Sequence, residues 1–162
     1  MRASRLGRYS WTMFDWANQP FYTLIMTFVF SVYFTDVFIA GEDGAQKLTL
    51  TQTISGLAIA LLSPVLGSIT DIKGSRKLLM GITSALFVLG MALLWYSPPG
   101  APDGIWLVMF GLILASAMVG FSEVFNNSVL STIETPENSG WLSGMGYGVG
   151  YIAGLIALIL FL

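Results

Sequence analysis

The chain has no cysteine and no histidine among its 162 residues, and only 10% of it is charged. The first absence removes disulfides and thiolate nucleophiles. The second removes imidazole bases and, together with the first, nearly all zinc and haem ligand sets. Catalytic chemistry is left with few candidate groups, and no pair of acids stands at a spacing that suggests hydrolysis. The sequence therefore reads as a protein that is not an enzyme and uses no metal or cofactor. Soluble domains carry about 25% charged residues. Here apolar side chains make up 55% of the chain and mean hydropathy is +0.76, the composition of an integral, multi-pass membrane protein whose first partner is the lipid bilayer. A net charge of −2, with the basic residues in small clusters rather than a stripe, argues against a nucleic-acid partner.

A helix needs about 20 apolar residues, at about 1.5 Å each, to cross about 30 Å of hydrocarbon. Five segments meet that need: 13–40, 51–70, 78–96, 104–126 and 140–162. The expected fold class is thus an all-α membrane protein with five transmembrane helices. Arg2, Arg5 and Arg8 ahead of an apolar run look like a signal peptide, but 21–40 is too long for a signal h-region and lacks a small-x-small cleavage site. It reads as a retained span. Pro20 predicts a kink or an entry turn before Phe21, and Pro64 a bend in the second span. The stretches 41–46 (GEDGAQ) and 97–104 (SPPGAPDG) read as short connections, so that consecutive spans are antiparallel neighbours. Thr135-Pro136-Glu137 reads as a helix start, with a hydroxyl cap, proline at the first helical position and an acid in the first turn.

Arg2, Arg5, Arg8, Lys73, Arg76 and Lys77 fall on one side of this arrangement and Lys47 on the other. The positive-inside rule then places the amino terminus and the charged turn at 71–77 in the cytoplasm, and 41–50 and 97–103 outside. The acidic connection 131–140 falls inside, which Asp and Glu permit because they contribute little to topology. The last span ends on Leu160-Phe161-Leu162 with no polar anchor, and the expectation is a fragment of a longer chain.

An ionised side chain at the centre of a span costs about 2.5 to 3.5 kcal/mol on the insertion scale, so Asp15 and Glu123 each need a reason. Asp15, Asn18 and Tyr22 share one helix face, and Glu123 has Asn126 and Asn127 at i+3 and i+4. Both clusters lie near cytoplasmic helix ends. They are either solvated or inter-helical hydrogen-bonding groups, or the lining of a watery path that binds substrate or a proton. In the fifth span Gly140, Gly144 and Gly148 form one four-residue repeat and Gly146, Gly150 and Gly154 another. These are two small-residue stripes suited to helix packing. The string 148–153 fits the dinucleotide pattern GxGxxA, but no strand precedes it. Asn126-Asn127-Ser128 matches a glycosylation sequon, on the wrong side of the membrane. Trp11, Trp16, Trp95, Trp106 and Trp141 fall near span ends, as an interfacial aromatic belt would.

The turn from Gly67 through Asp71 and Gly74 to Arg76-Lys77 resembles the signature loop between the second and third helices of major facilitator superfamily transporters. Ser75 stands where that family usually has a basic residue, with the basic pair displaced by one. The segments 9–21 (YSWTMFDWANQPF) and 140–151 (GWLSGMGYGVGY) are similar to those of the vacuolar amino-acid effluxer-like branch. This resemblance implies twelve helices in two six-helix halves around a cavity lined by the first and fourth helices of each. The chain would then be the N-terminal portion of one transporter domain, five helices of one half-bundle, with the C-terminal half absent. It implies secondary transport of a small-molecule substrate by alternating access, with amino-acid efflux and a coupled proton as further implications. Asp71, Arg76 and Lys77 would form a cytoplasmic latch facing the other half. A rival reading is a small five-helix structural or assembly protein that packs on partners through its glycine-rich last span.

Overall fold

In hydrocarbon the backbone has no water to pair with, so a spanning chain must satisfy its own N–H and C=O groups. The structure, a computed structural model, describes residues 4–73, 76–99 and 102–162, and their side chains except at 69–73 and 102. It is all-helical, with no strand among the described residues. α1 (Arg5–Pro20) continues as a π-helical segment Phe21–Phe28, a short α2 (Phe30–Tyr33) and a second π-helical segment Phe34–Phe38. α3 (Glu42–Lys73) and α4 (Arg76–Leu93) follow, then 3-10 turns at Leu94–Tyr96 and Pro102–Gly104, then α5 (Ile105–Ile133) and α6 (Pro136–Phe161). Five stretches, Arg5–Phe38 counted as one, are long and apolar enough to cross a membrane.

The helices reach further into their polar flanks than hydropathy indicates. The first begins at Arg5 rather than near residue 13, and most of 41–46, expected as a connection, is already helix from Glu42. Gly41 is the reason for so tight a reversal. At φ +93° it takes a conformation L side chains rarely adopt, donates its N–H to the Thr35 carbonyl and accepts Ala45 N–H into the first turn of α3. Glu42 and Asp43 then favour the positive end of α3, and Asp43 pairs with Lys47 one turn on. At the other end α3 runs on to Lys73 and α4 starts at Arg76. Pro20 does not break the first helix; the winding changes from α to π just after it, and Val29 N–H and Ile39 N–H each reach back five residues, to Leu24 and Phe34. α3 stays continuous through Pro64.

The chain divides into two compact units, Met1–Ser31 with Asn126–Leu162, and Val32–Phe125. In the first, α1 and α6 run parallel: Gly146 of α6 lies against Trp11 and Asp15, Gly150 against Asp15, and Gly154 against Gln19 and Thr23. First and fifth crossings must run the same way when successive spans alternate, and these do. In the second unit the 105–125 part of α5 carries the buried side chains Val108, Met109, Leu112, Val119, Phe121 and Phe125. Leu57, Leu61, Val65, Leu78 and Val88 are exposed, as lipid-facing positions of a membrane bundle are.

α4 and α5 meet through two glycines that the sequence did not single out. A Cβ on Gly90 would lie 2.8 Å from both the Ala115 nitrogen and the Gly111 carbonyl oxygen, and one on Gly111 would lie 2.7 Å from the Gly90 oxygen. The backbones touch directly, which only the smallest residue allows. Nearby, the hydroxyls of Thr83 and Ser122 are 2.6 Å apart, a buried cross-helix hydrogen bond. Gly81, also in α4, has nothing within 4 Å of a built Cβ. Gly90→Ala and Gly111→Ala are therefore expected to destabilise by about 1 to 3 kcal/mol through overpacking. Gly81→Ala, which adds helix propensity alone, should stabilise by about 0.5 to 1 kcal/mol. Thermal unfolding of the purified protein in detergent measures both, and the same sign for all three would contradict the close crossing.

Candidate functional site

Asp15 lies on the seam between α1 and α6. A Cβ on Gly146 would come within 2.5 Å of its Oδ2, and one on Gly150 within 3.3 Å of its Cβ. The carboxylate therefore occupies space that the missing side chain of Gly146 leaves open, and it has no hydrogen-bond or ion-pair partner among the described residues. Gly154 continues the seam, where a Cβ would meet Thr23 Oγ1 at 2.5 Å and Gln19 Cγ at 3.0 Å. Gly140, Gly144 and Gly148 have nothing within 4 Å. Two residues at about 100° each separate the stripes, so one points at α1 and the other points away.

Above Asp15 the winding changes, and Tyr22 falls in the π-helical segment rather than on a continued α-helical face. Gln19, Tyr22, Thr23 and Thr27, with Tyr151, Gly154 and Leu155 of α6, line a cavity of about 280 Å³. Its polar groups are uncharged hydroxyls and amides. Thr27 Oγ1 donates to the Tyr22 carbonyl five residues back, a bond matched to π winding. Asn18 is half-buried, and its side-chain nitrogen has no partner among the described residues.

The remaining expected residues separate. Glu123 is half-buried on α5 in the second unit. Asn126 is 4% exposed, whereas Asn127 is exposed and borders a cavity of about 330 Å³ with Leu130, Ser131 and Glu134. Along this face of α5, then, burial differs from one residue to the next. Of the charged turn, Gly67 lies within α3 with open space where a Cβ would stand, Arg76 is half-buried and Lys77 exposed at the start of α4. The side chain of Asp71 and the whole of Gly74 lie outside the described residues.

Two contacts in the first unit went unread in the sequence. Arg8 Nη1 donates to Glu134 Oε2 at 2.9 Å, and the Glu134 side chain is 2% exposed. Its other oxygen accepts Thr135 N–H at 3.1 Å. The carboxylate is thus fully engaged, which is what makes its burial tolerable. Trp11, expected in the interfacial belt, is instead buried at 6% exposure and donates Nε1–H to the Asn126 carbonyl at 2.8 Å. Trp95, Trp106 and Trp141 are exposed. Pro136 opens α6, but the Thr135 hydroxyl accepts from the Asn138 side chain and not from a helix N–H, because Glu134 and the backbone already organise the start. Arg8 and Trp11 lie on one face at i and i+3, and that stripe was the available signal. It was masked because arginine near a terminus reads as a topology determinant and tryptophan as a membrane anchor.

Long apolar helices, buried ion pairing at one end and a glycine seam define an integral, multi-pass membrane protein. Over 157 residues the chain is 31% identical to an uncharacterised MFS-type transporter, YxiO, of Bacillus subtilis strain 168, covering 93% of this chain and 36% of that protein. It is also 34% identical over 140 residues to an uncharacterised protein of Aquifex aeolicus strain VF5, covering 85% of this chain and 34% of that one. The chain therefore spans about a third of the length of the curated relatives it matches. No family model matches, and no solved structure does.

Substitutions distinguish the two glycine stripes. Gly146→Leu forces a branched side chain into the Asp15 carboxylate and Trp11, whereas Gly148→Leu meets nothing. The first should lower the melting temperature by several degrees and the second leave it within a degree or two, since overpacking costs about 1 to 3 kcal/mol. Arg8→Ala leaves a buried carboxylate uncompensated, a loss of about 3 to 5 kcal/mol. Arg8→Ala with Glu134→Ala should recover part of that. Equal melting temperatures for wild type and Arg8→Ala in detergent would rule out a stabilising pair.

Proposed function

We propose that this chain is part of a major facilitator superfamily secondary transporter that moves a small solute by alternating access. The observation carrying this reading is the 31% identity to an MFS-type transporter across 93% of the chain. The five spans and the parallel α1–α6 pairing support it, because they suit one half of a two-half transporter. In this reading the chain is the N-terminal portion of the first six-helix half, and a longer protein supplies the second. The amino terminus is cytoplasmic, in keeping with Arg5 and Arg8 at the same end as Glu134.

Asp15, Asn18 and Tyr22, joined by Gln19, Thr23 and Thr27, line a substrate or proton path in the first unit, and Glu123 is a second candidate proton carrier on α5. The cavity of about 280 Å³ has room for a small polar solute. Amino-acid efflux is the substrate class favoured by the motifs at 9–21 and 140–151, and Asp15 or Glu123 carries the coupled proton. Gly67, Asp71, Gly74, Arg76 and Lys77 form a cytoplasmic latch that biases the equilibrium between inward- and outward-facing states.

Reconstitution of the full protein in liposomes loaded with labelled amino acids tests this. Efflux driven by a proton gradient is expected, with Asp71→Asn changing the transport rate severalfold while substrate affinity stays within about twofold, since a latch shifts populations and not contacts. No movement of any amino acid would overturn the substrate class. An unchanged rate in well-expressed Asp71→Asn would overturn the latch.

A further inference from the structure

Because α1 and α6 are parallel, their N-terminal ends lie side by side, each carrying the positive end of a helix dipole. Arg5 and Arg8 add two cations at the same level, and Glu134 takes up one of them. Between the helices a cavity of about 140 Å³ is lined by Arg5, Arg8, Tyr9, Trp141, Leu142 and Met145. Arg5 has no ion-pair partner among the described residues. Arg8 uses Nη1 on Glu134, and a guanidinium has five N–H donors in all, so its fork retains donors for a second acceptor. Around this basic mouth Tyr9 and Trp141 are 59% and 68% exposed, amphipathic rings of the kind that sit at headgroup depth, while buried Leu142 and half-buried Met145 form its apolar floor.

The geometry points to a site for the phosphodiester headgroup of an anionic phospholipid, and we propose it as such. Arg5 and the free side of Arg8 hold the phosphate, Tyr9 and Trp141 flank the glycerol, and an acyl chain leaves past Met145. A lipid fits this chemistry better than a free anion does, because four of the six lining residues are apolar or aromatic and the pocket stands at the end of a membrane-spanning helix pair. The site is independent of the transported substrate.

Native mass spectrometry of the full protein, released from nanodiscs of phosphatidylcholine doped with phosphatidylglycerol, is the test. Preferential retention of phosphatidylglycerol is expected, weakened about fivefold in Arg5→Gln, the effect of one basic residue at an anionic surface. Arg5→Lys should restore most of it. Arg5 is exposed and outside the helix seam, so the variant should keep the wild-type melting temperature, and a loss of lipid with that temperature unchanged assigns the effect to binding. Equal retention of the two lipids, or an unaltered preference in Arg5→Gln, overturns the proposal. A third arm titrates inorganic phosphate into the delipidated protein in detergent. If phosphate alone binds this pocket and displaces phosphatidylglycerol at equal concentration, the site is for a free anion and the lipid assignment fails.

Discussion

Lipid tails are as apolar as leucine, so transmembrane helices gain little by burying leucine against leucine. They stay together where backbones come close enough for dense contact and where polar groups pair. That constraint organises each unit of this chain. In the first, Gly146, Gly150 and Gly154 let α6 lie against α1 at the level of Asp15, Gln19 and Thr23. In the second, Gly90 and Gly111 bring α4 and α5 into backbone contact, and the Thr83–Ser122 hydroxyl pair joins the same two helices. The side chains the glycines lack create the room in which the polar residues sit.

The parallel direction of α1 and α6 has an electrostatic cost, since two positive dipole ends and two arginines converge at one end. Glu134 answers it. Its two oxygens are engaged by Arg8 and by Thr135 N–H, so a carboxylate that would be expensive to bury alone becomes a fastening between the first and last helices. Trp11 adds a second tie three residues along, through the Asn126 carbonyl. Beyond α1 the π-helical winding from Phe21 to Phe28 sets Tyr22, Thr23 and Thr27 beside Tyr151 around an uncharged cavity that Phe28, Leu155 and Leu158 make mostly apolar. π segments inside α-helices are often found at functional sites.

Much of the architecture was legible beforehand. Composition and run length identified five spans, because hydrocarbon penalises every polar group and so writes its thickness into the sequence. The polar flanks were harder to read. The acids and glycines of 41–46 look like a loop, yet most of them form the first turn of α3, since Asp and Glu near a helix start stabilise it and Gly41 alone reverses the chain. Gly90 and Gly111 were overlooked because single glycines twenty-one residues apart form no pattern until two helices cross.

By itself, the sequence determined an all-helical, membrane-spanning chain, together with the residues whose chemistry is unusual at that depth. These follow from local properties: hydropathy, helix length and the position of charge. Tertiary structure decided which of two equally spaced glycine stripes meets α1, that Glu134 is held by Arg8, that Trp11 is buried rather than interfacial, and that Asn126 and Asn127 part. Each depends on which face one helix turns toward another, and repeat spacing within a single helix leaves that rotation open.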